Sequence, residues 1–326
     1  MVYDQNMRVL ITGNGGFIGS NLSQRCIDER WSVTGVDDLS NGHMEFVPDL
    51  CNHYTSDFAS SEILTLIKKK QFDVVFHLAA VPRVSYSVEH PLETFDANVN
   101  KTTKLIDACC GNISRFVFAS SSSVYGGAGP ESLPTHESHR KNPRSPYALQ
   151  KSIIEDVLTM YGELYDFESV CLRFFNVFGP NQLGDSPYAT AVSAWLSAIK
   201  KGVPMRSDGT GEQSRDMCYV DNVTDACVKA ASSNITGGFR GRCYNVACGD
   251  RTKNIDILNH LLRRFPGSSV VNAPWRPGDV MHTQADIGRA QYELGYEPLV
   301  RFWAGLEKTI EWVEKTPEFL TLKLRT

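Results

Sequence analysis

Apolar and polar positions fall in blocks along most of this chain. Met7-Arg8-Val9-Leu10-Ile11-Thr12 is a short apolar run that breaks on glycine, so it reads as a buried strand. Residues 17–30 continue as a helix, and Trp31 to Val36 form a second strand ending on Asp37-Asp38. A weaker strand is expected at 52–56, a helix at 61–70 and a strand from Asp73 to Leu78. A helix over 91–110 holds Asn98, and Arg115 to Ala119 form the next strand. A helix then runs from Tyr147 to about Tyr165, and Ser169 to Phe174 form another strand. Strands alternating with helices predict an α/β fold with a doubly wound parallel sheet covered on both faces.

After residue 175 the texture changes. Loops rich in Gly, Pro and Asn, such as Gly179-Pro180-Asn181 and Ser207-Asp208-Gly209-Thr210-Gly211, separate shorter elements. The expected organisation is a nucleotide-binding domain over 1–175 and a smaller, discontinuous substrate-binding lobe over 176–326. Residues 217–247 are expected to return to the sheet, because Met217 to Val220 and Cys243 to Ala247 read as strands.

Composition narrows the function classes. The 326 residues are 42% hydrophobic and 21% charged, as in an ordinary globular protein. A net charge of −4 gives no electrostatic reason to propose nucleic acid or an anionic membrane as a partner. No apolar run reaches the ~18 residues of a membrane span. The nine cysteines are scattered, odd in number and without metal-ligand spacing, so buried thiols in a reducing cytosol are expected, with no metal site.

Gly13-Asn14-Gly15-Gly16-Phe17-Ile18-Gly19 follows the first strand and opens the first helix. Strand, glycine turn, helix, strand and acid make the dinucleotide fingerprint, so the sheet is expected to be Rossmann-type. Gly13 permits the tight turn, Gly16 lets the backbone approach a pyrophosphate, and Gly19 allows close helix–strand packing. The helix N-terminus offers free N–H groups to the phosphates. Asp37 lies 18 residues after Gly19, where a carboxylate meets the adenosine ribose hydroxyls and repels a 2′-phosphate. With Asp38 beside it, NAD is favoured over NADP. The spacing is Gly-x-x-Gly-x-x-Gly, with Gly15 in the variable slot.

Ligands of such sheets lie at the carboxyl ends of the strands. Gly13, Asp37, Leu78-Ala79-Ala80, Ser120 to Ser123, and Phe174-Phe175-Asn176 all fall at such ends. Asp57-Phe58 either touches the adenine or caps the next helix. His77 at its strand end reads as a hydrogen-bonded structural histidine rather than a base. Tyr147 and Lys151 are four apart at the start of a helix, which puts them on one face roughly 5–6 Å apart at Cβ. A neighbouring cation favours the phenolate and tunes tyrosine toward acid–base work at neutral pH. Arg215 and Arg276 suit bidentate contacts to a diphosphate, or are surface arginines.

Together these residues resemble the extended short-chain dehydrogenase/reductase family, and within it the nucleotide-sugar 4-epimerases. The resemblance covers essentially residues 7–315. It is carried by the glycine turn, Asp37-Asp38-Leu39-Ser40-Asn41-Gly42, His77 to Ala80, Ser120 to Gly126, and Tyr147 to Lys151. Leu172 to Gly179, Ser214-Arg215-Asp216 and Arg276-Pro277-Gly278-Asp279 complete the series. The resemblance implies that Tyr147 takes the 4-hydroxyl proton of a UDP-sugar, Ser121 bonds the reacting oxygen and relays its proton, and Lys151 holds the nicotinamide ribose. Hydride moves from C4 to NAD and returns to the other face of a 4-keto sugar. Cofactor contacts are then expected from Gly13, Gly16, Phe17, Ile18, Gly19, Asp37, Asp38, Ser40, Asn41, Gly42, Asp57 and Phe58. Leu78, Ala79, Ala80, Asn98, Ser120, Tyr147, Lys151 and Phe174 complete them. Asn176, Arg215, Arg276 and Asp279 resemble the contacts to UDP, with Arg83, Ser85, Ser122 and Ser123 nearer the sugar.

Two positions narrow the reaction. Family dehydratases and decarboxylases carry an acid immediately before Val-Tyr-Gly, and Ser123 stands there instead, which implies epimerisation. The residue seven positions after Arg276 is Thr283, and a small residue there leaves room for a 2-acetamido group. Gly209 to Asn222 and Arg276 to Asp286 look most like the UDP-N-acetylglucosamine 4-epimerases. UDP-glucose and UDP-glucuronate epimerisation are the alternatives, with Arg83 and Ser85 suited to a carboxylate; a non-catalytic NAD-binding regulator is the remote one. Family members pair through the helices matching 91–110 and 147–164, so a homodimer is expected.

Overall fold

Seven strands make one all-parallel sheet: β1 (Arg8–Thr12), β2 (Ser32–Asp37), β3 (Asn52–Thr55), β4 (Val74–His77), β5 (Arg115–Ser121), β6 (Ser169–Phe174) and β7 (Arg242–Val246). Their order is β7-β6-β5-β4-β1-β2-β3. The computed structural model describes residues 6–82, 84–127, 129–184, 190–275 and 280–317. β4 and β6 are buried along their whole length, which is why they read as continuous apolar runs rather than alternating ones.

Helices cover both faces. One apolar cluster joins Val9, Ile11 and Val117 to Leu22 and Cys26 of helix Phe17–Asp28 and to Ala226 and Cys227 of helix Val220–Ser232. The other joins Leu10, Val75 and Phe116 to Ile63, Leu105, Ile154 and Leu158 on helices Ser61–Lys68, Lys101–Cys109 and Pro146–Tyr165. The strand order reverses between β1 and β4, so the turns after these two strands splay apart and leave a crevice.

Two elements differ from the sequence reading. The stretch 91–110 is helical as far as Cys109 but not uniformly α: Pro91–Phe95 and Lys101–Cys109 are joined by a π-helical turn, Asp96–Asn100. The wide turn carries Asn98, whose Oδ1 accepts from Val81 N at 2.8 Å and whose Nδ2 donates to Val81 O at 3.0 Å. Near Met217, Cys218–Tyr219 does not join the main sheet but pairs in parallel with Val177–Phe178 in a separate two-stranded sheet. Helix Val220–Ser232 then crosses the main sheet, and β7 adds beside β6.

A third apolar cluster lies beyond the carboxyl ends of the strands. It packs Phe178, Trp195, Met205, Tyr219, Leu258, Phe302 and Leu306 from helices Ala191–Lys201, Asn254–Arg264 and Phe302–Lys315 and the short strands between them. Among the described residues no helix is long and apolar enough to cross a membrane.

Candidate active site

A cleft of about 1220 Å³ opens where the strand order reverses. Its floor begins at the glycine turn. Gly13 has φ +77°, and a Cβ there would lie 2.8 Å from Ala79 N, so this turn and the one after β4 touch through bare backbone. A Cβ on Gly19 would lie 2.0 Å from Gly13 O, which ties the helix to β1. Gly16 precedes helix Phe17–Asp28 in extended conformation with no side-chain cap, so the first N–H groups of the helix face the cleft.

Asp37 closes the next stretch of floor. Its carboxylate accepts from Gly15 N at 3.0 Å and Leu39 N at 2.8 Å, and a Cβ on Gly42 would sit 2.6 Å from it. Burial raises the Asp37 carboxyl above its ordinary value, and the Leu39 and Gly15 N–H groups act the other way. Asp38 accepts from Ser40 N at 2.9 Å, and Ser40, Asn41 and Gly42 line the same rim. Asp57 caps no helix, since Ser60 does so; it forms a local turn with Ala59 N and pairs with Lys101 Nζ at 2.6 Å. Asp57, Phe58 and Lys101 all line the cleft, and Lys101 is a residue the sequence reading missed.

Thr12 Oγ1 accepts from Leu78 N at 3.2 Å and Ala79 N at 3.1 Å, so its own proton goes to His77 Nδ1 at 2.8 Å. His77 Nε2 then donates to Thr102 Oγ1 at 2.9 Å. The ring is 1% exposed and does not line the cleft, and burial with the nearby Lys151 charge pushes it down to about 3. It is a structural histidine, and this chain of bonds shapes the turn Leu78-Ala79-Ala80 along the cleft.

Tyr147 enters at the first turn of helix Pro146–Tyr165, which Ser145 caps by accepting from Ala148 N at 3.2 Å and Pro146 starts. Lys151 follows one turn later. Its Nζ lies 5.8 Å from the centre of the Tyr147 ring, 4.6 Å from that of Phe118, and donates to Ala119 O at 2.7 Å. Burial pushes the Lys151 ammonium down to about 7, against the pull of Glu155. Opposite, β5 ends in the serine cluster. Ser120 Oγ donates to Glu155 at 2.6 Å, and Ser121 Oγ caps the turn Ser122–Tyr125 by accepting from Ser123 N. Ser123 Oγ is buried and has no hydrogen-bond partner among the described residues. All four serines, Tyr147, Lys151 and Phe174 line the cleft.

The far wall carries Asn176, Arg215, His282 and Thr283, with Ser85 on the rim from helix Val84–Glu89. Asn176 Nδ2 donates to Asp216 O and to Thr283 Oγ1, both at 3.2 Å, and Thr283 Oγ1 also accepts from Asp216 N. Arg215 Nη1 donates to Ser214 O and Met281 O. Arg83, Arg276 and Asp279 lie outside the described residues. Among the expected cofactor contacts, Asn98 alone does not line the cleft. Its amide bonds Val81 and Gln150, so it braces the turn after β4.

Glu155 and Arg173 were also missed. Arg173 donates to Glu155 through Nε at 2.8 Å and Nη2 at 2.7 Å, and to Tyr125 through Nη1 at 2.9 Å. Both charged residues are buried. The available signal was an arginine inside the otherwise apolar strand Ser169–Phe174, since buried charge demands a partner.

A doubly wound sheet with a glycine cradle, an acid at the end of β2 and a Tyr–Lys pair beside a serine cluster defines a dinucleotide-dependent enzyme. The chain belongs to the NAD dependent epimerase/dehydratase family, whose sequence profile matches residues 9–247. It is an NAD-dependent isomerase. It is 35% identical over 324 residues to UDP-glucose 4-epimerase of Mycolicibacterium smegmatis, covering 94% of this chain and 98% of that protein. Among solved structures it resembles UDP-N-acetylglucosamine 4-epimerase from Methanobrevibacter ruminantium M1 in complex with UDP-N-acetylmuramic acid. There the TM-score is 0.87 with 35% identity, covering 94% of this chain and 98% of that one. The Thermus thermophilus UDP-glucose 4-epimerase complex with NAD gives 0.85 and 29%, covering 95% and 100%. The cofactor fits the residues present: a Cβ on Gly13 or Gly19 would lie 2.8 or 2.0 Å from backbone, so the turn stays bare at these positions, and the Asp37 carboxylate lies against Gly15 and Gly42 on the same floor.

Proposed function

We propose that this protein interconverts UDP-N-acetylglucosamine and UDP-N-acetylgalactosamine through a transient 4-keto sugar. NAD is held by the glycine turn and Asp37 and supplies reversible hydride chemistry at C4. Tyr147 removes the proton of the sugar 4-hydroxyl and returns it at the end of the reaction. Lys151, a buried cation one turn away, favours the phenolate that this step needs. Ser121 bonds the reacting oxygen and relays the proton. Arg215 meets the diphosphate; Arg276 and Asp279 are proposed as further UDP contacts from the sequence alone.

The observation that carries the acetylated substrate is Thr283. A small side chain lines the cleft there, tied back by Asn176 and the Asp216 backbone. Plain UDP-glucose 4-epimerase activity is the second reading, favoured by the name of the 35% identical relative. The test is turnover by purified protein without added cofactor, offering UDP-N-acetylglucosamine, UDP-glucose and UDP-glucuronate separately and resolving the C4 epimers by NMR. Conversion confined to an unacetylated sugar refutes the acetylated reading and keeps the chemistry.

We also propose a homodimer. Leu149, Met160 and Leu164 form an exposed apolar stripe on helix Pro146–Tyr165, and Val88 and Leu92 are exposed on the segments packed beside it. A second copy covers this face in a four-helix arrangement. The nine cysteines are all free thiols, in keeping with a place in the cytosol.

A further inference from the structure

Tyr147, Lys151 and Glu155 follow one another at four-residue steps on helix Pro146–Tyr165, so they form one stripe running from the cleft inward. Glu155 does not line the cleft and is 1% exposed. Its two oxygens accept the bidentate pair from Arg173 on β6 and the hydroxyl of Ser120 on β5, at 2.6 to 2.8 Å. Lys141 Nζ approaches from the outside at 3.6 Å. One turn nearer the cleft, Lys151 donates to Ala119 O. Two consecutive residues of β5 are thus bolted to two residues of the helix, and Ser121 is the next residue along that strand.

We propose that Glu155 is a positioning residue for the reaction: it fixes the end of β5 that carries Ser121 against the Tyr147 helix, and its buried carboxylate stands one turn from Lys151 on the same helix face. The inference rests on the reading of Tyr147 and Lys151 as the acid–base pair. The groups facing Lys151 are neutral His77 from β4, the Phe118 ring from β5, Cys171 from β6, and Tyr147 and Glu155 from its own helix. Glu155 is the carboxylate of that set. Burial works to discharge Lys151, and Glu155 opposes it. The Arg173 fork leaves the carboxylate one orientation, so the Ser120 contact is held rigidly.

Two variants separate these roles. Glu155→Gln keeps the shape and an acceptor for Ser120 but removes the charge; Ser120→Ala removes the grip and leaves the Glu155–Arg173 pair whole. The measurement is kcat/KM against pH with saturating NAD, alongside bound NAD and the thermal midpoint. Glu155→Gln is expected to move the alkaline limb down by about one pH unit. Ser120→Ala is expected to lower kcat about tenfold at saturating NAD with the limb in place. A wild-type limb in Glu155→Gln, or wild-type kcat in Ser120→Ala, overturns the proposal. If Glu155→Gln does not fold, the Ser120→Ala result decides. Tyr147→Phe serves as the control: an active Tyr147→Phe sinks the parent reading, whereas an inactive one beside a wild-type limb in Glu155→Gln sinks only this inference.

Discussion

The Thr12 hydroxyl lies 2.8 Å from His77 Nδ1, and the opposite ring nitrogen lies 2.9 Å from Thr102 Oγ1. One buried imidazole therefore joins the ends of β1 and β4 to the helix behind them, at the point where the strand order reverses. That junction sets the two turns lining the cleft. His77 is 1% exposed and stays neutral, because a charge there loses its hydration without gaining an anion.

This burial makes stability depend on acid. The folded value is about 3 and the ordinary value 6.5, so between them the unfolded chain binds a proton that the native protein does not. Stability from this residue is complete above the ordinary value and falls as pH drops through that window, by up to ~1.4 kcal/mol per pH unit. His77→Gln is expected to be less stable at neutral pH but to show a shallower loss on acidification. Urea midpoints measured from neutral pH down to about 4 check it; equal slopes for the two proteins would refute it.

Removing the phenol should stop the chemistry and spare the fold. Tyr147→Phe is expected to lower kcat by about 10²–10⁴-fold, the usual contribution of a positioned acid–base group. Bound NAD and the thermal midpoint should stay near wild type, because Tyr147 is partly exposed in the cleft.

The glycine cradle tolerates no side chain at its tightest point. Gly19→Ala places a methyl 2.0 Å from Gly13 O and 2.9 Å from Asn14 Cα, both on backbone that holds the turn. The variant is expected to lose ~1–3 kcal/mol of stability and to retain less NAD. Calorimetry and the nucleotide released on denaturation measure both.

Asp37→Asn should relax the cofactor preference. The carboxylate is seated by Gly15 and Leu39, and asparagine keeps that shape without the charge that repels a 2′-phosphate. NADP affinity is expected to rise about tenfold relative to NAD, worth ~1.4 kcal/mol. Titration of both cofactors against the stripped protein reads the ratio.

Pocket size is testable at Thr283. Thr283→Tyr fills the wall and is expected to lower kcat/KM for UDP-N-acetylglucosamine at least tenfold while sparing UDP-glucose. Thr283→Ser retains the hydroxyl that accepts from Asn176 and Asp216 and should stay close to wild type. An equal loss on both sugars in Thr283→Tyr would mean that residue 283 supports the wall without sorting substrates.

By itself the sequence determined the α/β alternation, the glycine turn with its acid, the Tyr147–Lys151 pair and the serine run. Each depends on near neighbours in the chain: apolar run length, helical spacing, or the backbone freedom of glycine. Tertiary structure decided what depends on residues far apart in sequence. The fate of Cys218–Tyr219 turned on the partner strand it found at Val177–Phe178, not on its own apolar character. Asn98 became a brace because a π turn aimed it at Val81. Glu155 looks like an ordinary surface charge when read singly, and Arg173 in its apolar strand calls for a partner without naming one. Only the packing of β5, β6 and one helix buries both and joins them beneath the cleft, because a buried charge is stable only with its partner in place.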